Sequence, residues 1–145
     1  MAIDPVSTDP VLAARLWLGT PYRHQASVRG AGCDCLGLVR GVWRTVVGEE
    51  RATPPPYTPD WAQLSGSETL LDAARHYLNE LPRAQARPGD VLAFRLRPDL
   101  PVTHLGILGS PSTFIHAYWR RGVCESALIP FWQRRHSHSF RFPDI

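Results

Sequence analysis

The octapeptide Gly32-Cys33-Asp34-Cys35-Leu36-Gly37-Leu38-Val39 places a cysteine where a loop gives way to an apolar helix. From Cys35 onward, apolar residues recur at helical spacing as far as Val47, and Gly48 ends the pattern. A thiol at the start of a helix lies at the positive end of the backbone dipole, which favours the thiolate. The stretch therefore predicts a helix that presents a candidate nucleophile in its first turn.

Helical patterns occupy the first half of the chain and strand patterns the second. The sequence predicts helices over residues 10–18, 35–47 and 69–81, the last preceded by a capping box at residues 65–68 and stopped by Pro82. Short strands are predicted over residues 91–96, 104–108, 113–119, 122–128 and 139–142. Helices followed by closely connected strands favour an α+β fold, with N-terminal helices packed on one face of an antiparallel meander sheet.

Length and composition narrow the class of protein. The 145 residues fit a single domain over residues 1–145, and a formal net charge of +3 does not indicate a nucleic-acid partner. No apolar segment approaches the roughly 20 residues that cross a bilayer, so no membrane span is expected. The N-terminus shows no signal-peptide pattern, and we therefore expect synthesis in the cytoplasm. Three cysteines are too few for a disulfide scaffold.

Two histidines in similar apolar settings complete a candidate hydrolytic site. His104 and His116 each lie in a predicted strand, so one imidazole could take the thiol proton of Cys35 while the other orients it. Sequence order does not decide which histidine is the base. Cys33 is the rival nucleophile, although it lies further outside the helix. The backbone N–H of Cys35 could donate to an oxyanion, and Asp34 could cap the helix or hold a loop donor.

Five motifs in this order resemble the NlpC-type cell-wall peptidases, which are small papain-like cysteine enzymes. The matching segments cover roughly residues 10–128 and are Gly19-Thr20-Pro21-Tyr22, Asp34-Cys35-Leu36-Gly37-Leu38, Pro88-Gly89-Asp90-Val91, His104-Leu105-Gly106-Ile107 and Phe114-Ile115-His116-Ala117. The resemblance implies a papain-like fold and a cysteine peptidase without a cofactor. It makes Cys35 the nucleophile, His104 the base, His116 the orienting residue and Tyr22 a cleft residue near the oxyanion.

Further details resemble the variant encoded in phage tail clusters and gene transfer agents. The segments Tyr22-Arg23-His24-Gln25 and Gly32-Cys33-Asp34-Cys35 carry this likeness. It implies a virion protein that docks on hub proteins at the tail tip and cuts peptidoglycan stem peptides during DNA delivery. The usual bond joins D-glutamate to a diamino acid. Such a protein would be made in the cytoplasm and would act in the cell wall or periplasm of the recipient cell.

Two departures from the family pattern leave alternatives open. Leu36 replaces a serine that helps to recognise substrate, and Arg23-His24-Gln25 replaces the usual aromatic and glycine-rich run. One alternative is a catalytically idle connector of the tail tip with the same fold. Another is a zinc site built from Cys33, Cys35, His104 and His116, although Cys-x-Cys spacing is tighter than usual. A cleft role for His24 is a further possibility.

Overall fold

The computed structural model describes residues 9–59 and 66–144. The helices are α1 (Pro10–Arg15), α2 (Cys35–Val46), α3 (Thr69–Tyr77) and α4 (Pro130–Arg135). The strands are β1 (Ser27–Val28), β2 (Gly32–Cys33), β3 (Asn79–Leu81), β4 (Val91–Arg95), β5 (Val102–Ser110), β6 (Thr113–Tyr118), β7 (Gly122–Ala127) and β8 (His136–Arg141). Helices α1 to α3 precede strands β3 to β8, as the hydrophobic pattern predicts, whereas the short strands β1 and β2 before α2 and the helix α4 before β8 depart from it.

Helix α2 is the central helix, and its start is fixed by a side-chain cap. The carboxylate of Asp34 accepts a hydrogen bond from the backbone N–H of Gly37 at 2.7 Å, which satisfies one of the unpaired donors of the first turn. Helix α1 packs closely on α2, because Gly41 leaves room for the ring of Trp17. A Cβ at position 41 would lie 2.0 Å from that ring.

The main sheet is antiparallel, with strand order β3-β8-β4-β5-β6-β7. Strands β4 to β7 form the meander that the sequence predicts. The C-terminal strand β8 does not continue the meander. It pairs with β4, on the side opposite β5. Asp90 and Arg141 reinforce this return through two charge-assisted hydrogen bonds of 2.9 Å.

Two hydrophobic clusters cover the two faces of the sheet. The larger one joins the helices to the sheet and includes Leu38, Val42, Leu70 and Ile107. The smaller one consists of Leu92, Phe94, Leu108, Phe114 and Trp132, and Trp132 comes from helix α4. The prediction of a single covered face is therefore incomplete, because the aromatic C-terminal segment forms a second, smaller core.

The third predicted helix is shorter than its pattern indicates. It ends at Tyr77, and residues 79–81 instead pair with β8, with Leu81 opposite Ser139. Backbone pairing with an available strand outweighs the local helical preference here. The N-cap position is Glu68, whose side chain does not cap the helix but pairs with Arg95 and accepts from the N–H of Val102. Ser65 of the predicted capping box lies outside the described residues.

A proline-rich segment, residues 52–59, lies over the helices. Its residues 52–55 help to line an apolar cavity of about 160 Å³ together with α2, α3 and Leu105. None of the predicted catalytic side chains lines this cavity. Within residues 9–59 and 66–144, no helix has both the length and the apolar character required to cross a membrane.

Candidate active site

Cys35 is the first residue of α2 and is 4% exposed. Its thiol lies close to the backbone of Leu105 on strand β5 and of Leu36 in its own helix, and both backbone groups act to lower the pKa of the thiol. The side chain of Asp34 caps the helix and so fixes where it starts, and β5 packs beside the sulfur of Cys35. The sequence therefore holds this thiol in a rigid position beside the strand that carries His104.

The two candidate histidines come from neighbouring strands and are hydrogen-bonded to each other. Nε2 of His104, on β5, lies 2.8 Å from Nδ1 of His116, on β6. His116 is 1% exposed and its ring stacks on Phe114, with 4.1 Å between the ring centroids. Trp132 packs against both imidazoles. The smaller hydrophobic cluster thus holds the histidine pair in one orientation.

Cys35 and His104 open on the same cleft, which has a volume of about 350 Å³. Tyr22 also lines this cleft, whereas His116 lies behind His104 and does not. The remaining lining residues are mostly apolar or aromatic: Pro59, Leu96, Thr103, Ala117, Tyr118, Trp119 and Trp132. The structure therefore brings Tyr22, Cys35 and His104 to one surface and places His116 in hydrogen-bond contact with His104 behind it.

Cys33 is placed differently from Cys35. It is fully buried in β2, where its backbone pairs with Ser27 and bridges to Tyr22. It is not among the residues that line the cleft. Burial also raises the pKa of its thiol to about 12. Of the two candidate nucleophiles, only Cys35 faces the open groove.

Asp34 is 2% exposed, and its carboxylate accepts hydrogen bonds from other groups of the protein. Besides Gly37, it accepts hydrogen bonds from the backbone N–H of Gln25 at 2.7 Å and from the hydroxyl of Tyr57. His24 lies at its edge, with Nδ1 at 3.8 Å and Nε2 bonded to the Tyr57 carbonyl at 2.7 Å. Asp34 thus fastens both the Tyr22 loop and the proline-rich segment to the start of α2.

Burial favours the neutral forms of the three candidate catalytic groups. Burial, together with the Asp34 carboxylate, raises the pKa of Cys35 to about 12, against the expectation that the helix dipole favours a thiolate. Burial lowers the pKa of His104 to about 4 and that of His116 to about 3. The thiol therefore keeps its proton at neutral pH, and the imidazoles are free to accept one. Burial likewise raises the pKa of Tyr22, so its hydroxyl remains a hydrogen-bond donor.

The hairpin between β6 and β7 forms one wall of the cleft. Trp119 is 63% exposed, and the guanidinium of Arg120 lies 4.2 Å from its ring centroid. The hairpin is fastened to the Tyr22 loop, because the N–H of Val123 donates to the Thr20 carbonyl at 2.9 Å. Gly122 makes this approach possible with a φ of 74°, and a Cβ there would lie 2.4 Å from the same carbonyl oxygen.

Sequence reasoning missed the aromatic walls of the cleft. Tyr118 and Trp119 directly follow the strand that carries His116, and an aromatic pair at the end of a site-bearing strand could have indicated a wall. Trp132 and Pro59 gave no comparable signal. Their positions depend on how α4 and the proline-rich segment pack, which is a tertiary property.

The described residues do not support the zinc alternative. Within residues 9–59 and 66–144, no three histidine, cysteine, aspartate or glutamate side chains lie close enough to hold a metal ion together. Only Asp34 separates Cys33 from Cys35 in the sequence, but Cys33 does not line the cleft that Cys35 and His104 share.

The chain matches the NlpC/P60 family model over residues 19–141. It is 28% identical over 119 residues to the probable endopeptidase NlpC of Escherichia coli K12, covering 81% of this chain and 66% of that protein. It is 27% identical over 148 residues to the gamma-DL-glutamyl hydrolase of Bacillus subtilis 168, covering 100% of this chain and 32% of that one. The chain thus spans about two thirds of the length of the Escherichia coli relative and about one third of the length of the Bacillus subtilis relative.

Solved structures share the fold. The NlpC/p60 domain of the peptidoglycan hydrolase SagA superposes with a TM-score of 0.65 at 21% identity, covering 92% of this chain and 97% of that domain. A lipoprotein-like NLP/P60 protein of Staphylococcus aureus Mu50 superposes with a TM-score of 0.63 at 20% identity. The match covers 99% of this chain and 43% of that one. These likenesses confirm the predicted α+β, papain-like arrangement of helices on an antiparallel sheet.

Proposed function

This chain belongs to the NlpC/P60 family, and we propose that it is a cysteine peptidase that cleaves the stem peptides of peptidoglycan. The observation that carries the proposal is the shared cleft of Cys35 and His104, with His116 hydrogen-bonded at 2.8 Å behind the base. A nucleophile, a neutral imidazole and an orienting group in this order are the components of acyl transfer through a thiol. The names of the two curated relatives, an endopeptidase and a glutamyl hydrolase, support the same reaction class.

The roles of the residues follow from the atoms that remain available. Nε2 of His104 is engaged by His116, so Nδ1 receives the thiol proton as the sulfur of Cys35 attacks the scissile carbonyl. We propose the backbone N–H of Cys35 and the hydroxyl of Tyr22, which lines the same cleft, as the donors to the developing oxyanion. Hydrogen bonds between such groups often shorten only when substrate binds, which agrees with a neutral resting site.

Two steps complete the reaction. The tetrahedral intermediate collapses to a thioester, and the departing amine takes the proton from His104. Water then attacks the thioester while His104 accepts its proton, and the returned proton restores the thiol as the carboxylic acid leaves. Atoms and protons balance over the two steps, and no cofactor is required.

The bond proposed for cleavage joins D-glutamate to the diamino acid of the stem peptide. The family resemblance and the name of the Bacillus subtilis relative support this choice. The hydroxyl that typical members present after the nucleophile is absent, since Leu36 occupies that position. We therefore propose that the walls of the cleft, including Tyr118 and Trp119, contribute more to substrate selection than the first turn of α2.

The proposed setting is the tail tip of a phage or gene transfer agent, where the enzyme opens the wall of the recipient cell. The segment Tyr22-Arg23-His24-Gln25 supports this proposal through its likeness to that variant. The chain would be made in the cytoplasm, join hub proteins in the virion and act in the cell wall or periplasm. Proteomics of purified particles from the encoding organism should detect the chain in tails, and its absence from intact tails would count against this setting.

Defined muropeptides provide the test of the enzymatic proposal. The purified chain is incubated with tri- and tetrapeptide muropeptides, and the fragments are identified by mass spectrometry. We expect a mass gain of one water at the bond between D-glutamate and the diamino acid. Intact muropeptides after prolonged incubation, together with detection of the chain in tails, would favour the idle connector instead.

A further inference from the structure

The histidine pair does not end at His116 but continues to a serine on the next strand. Nε2 of His116 lies 2.8 Å from Oγ of Ser126, on β7, while its Nδ1 lies 2.8 Å from Nε2 of His104. Ser126 Oγ in turn lies 3.6 Å from the sulfur of Cys124. One hydrogen-bond chain therefore runs across strands β5, β6 and β7.

A base at Nδ1 of His104 fixes which nitrogen of each imidazole carries a proton in this hydrogen-bond network. His104 can accept the thiol proton only at Nδ1, which must therefore be unprotonated in the neutral ring. The proton of that ring then sits on Nε2 and is donated to Nδ1 of His116. Since Nδ1 of His116 accepts, the proton of the second neutral ring sits on its Nε2, and Oγ of Ser126 must accept it.

We propose that Ser126 is a positioning residue, whose Oγ holds both imidazoles in the tautomer that leaves Nδ1 of His104 free to act as base. The inference rests on the proposed hydrolase function and assigns the residue that fixes its proton order. Ser126 touches neither the cleft nor the nucleophile in the described structure, and it acts through His116.

The surroundings of Ser126 leave its hydroxyl suited to this role. A hydroxyl both accepts and donates, so Oγ can take the His116 proton while its own proton points to the weakly accepting sulfur of Cys124. The carboxylate of the intervening residue, Glu125, is held elsewhere by Arg15 and Thr113. Ser126 is thus the group bonded to Nε2 of His116. Its oxygen can accept the proton that Nε2 must carry when Nδ1 of His104 acts as the base.

Nitrogen NMR on the unmodified chain tests the tautomer directly. The protein is labelled with nitrogen-15 in its histidines, and the His116 signals are assigned by their loss in His116→Gln. We expect both His104 and His116 to carry the proton on Nε2 at pH 7. A proton on Nδ1 of His116 would overturn the inference. This readout does not depend on turnover, so it decides the inference even if the chain cleaves no peptidoglycan.

Kinetics on muropeptides provide a second test. Ser126→Ala removes the acceptor and should lower kcat on the order of tenfold while KM stays nearly unchanged, because the cleft walls are untouched. Ser126→Thr retains the hydroxyl and should recover most of the rate. Ser110→Ala removes a serine hydroxyl in the same sheet, bonded to Thr113 rather than to a histidine, and should leave kcat unchanged.

The outcome of the variants is read together with their fold, checked by circular dichroism and melting temperature. A folded Ser126→Ala with the kcat of the unmodified chain would contradict the positioning role. So would a loss of rate in Ser126→Thr equal to that in Ser126→Ala, because the hydroxyl would then not be the group that matters.

Discussion

At the scale of single residues, the proposed reaction depends on two groups whose neutral forms are favoured by burial. Burial raises the pKa of the Cys35 thiol to about 12 and lowers that of the His104 imidazole to about 4. In the proposed mechanism the neutral thiol transfers its proton to the neutral imidazole at the moment of attack. The proposal therefore places activation of the thiol in the complex with substrate and not in the free protein.

The lowered pKa of His104 predicts activity in mildly acidic solution. A base with a pKa of about 4 is still unprotonated at pH 5.5, where an ordinary histidine, with a pKa of 6.5, is mostly protonated. Initial rates of muropeptide cleavage at pH 5.5 should therefore stay within about twofold of those at pH 7.5. A rate that falls with a midpoint near pH 6.5, in protein shown to be folded, would contradict the buried neutral base.

At the scale of elements, the first turn of α2 is stabilised by one carboxylate that serves three segments. Asp34 accepts from Gly37 in the helix, from Gln25 in the Tyr22 loop and from Tyr57 in the proline-rich segment. Since Pro59 of that last segment lines the cleft, the same carboxylate fixes both the candidate nucleophile and part of the cleft wall.

Asp34→Ala should destabilise the protein by about 1–3 kcal/mol, because it removes a helix cap and leaves buried donors without an acceptor. The matched control is Asp99→Ala, whose carboxylate is exposed and pairs with Arg97. Free energies of unfolding from urea titrations measure both changes. The control should change by less than about 0.5 kcal/mol, and equal effects in the two variants would contradict the structural role of Asp34.

The hairpin between β6 and β7 depends on one close backbone approach. Gly122→Ala would meet the Thr20 carbonyl and would also strain a positive φ, whereas Gly30→Ala would strain a similar φ of 80° in open space. Gly30→Ala should therefore cost about 1 kcal/mol, and Gly122→Ala should cost more and also raise KM by moving the hairpin and the Tyr22 loop. Equal losses of stability, with KM unchanged in both, would show that the hairpin contact does not shape the cleft.

At the scale of the whole molecule, the buried histidine pair links the site to global stability. Both rings have a folded-state pKa below the value of 6.5 that they regain on unfolding. The unfolded chain therefore binds more protons below pH 6.5, and stability falls as the pH drops from about 6.5 towards 4.

Urea unfolding at pH 7.5 and pH 5.0 measures this linkage. Each of the two histidines should remove about 2 kcal/mol of stability between these values. The double variant His104→Gln with His116→Gln should lose about 4 kcal/mol less over the same interval, because glutamine does not titrate, whereas the contribution of His136, whose pKa burial also lowers, is the same in both proteins. An unchanged pH dependence in the double variant would contradict the linkage.

Much of this fold could be predicted from the sequence, because helix α2 and the strands of the meander carry clear local patterns. The three cleft residues Tyr22, Cys35 and His104 were likewise indicated by their motifs and their order along the chain. The end of α3 at Tyr77 was mispredicted because residues 79–81 pair with β8, a partner more than 50 residues away. Trp132, Ser126 and Tyr57 carry no local signal, since their roles exist only once distant segments pack together.

In the proposed reaction the thiol of Cys35, and not that of Cys33, attacks a peptide bond of the cell wall. The direct measurement is digestion of defined muropeptides by the unmodified chain, Cys33→Ser and Cys35→Ser, with fragments identified by mass spectrometry. We expect cleavage products from the unmodified chain and from Cys33→Ser, and none from a folded Cys35→Ser. Cleavage by Cys35→Ser at the rate of the unmodified chain would contradict the proposed reaction.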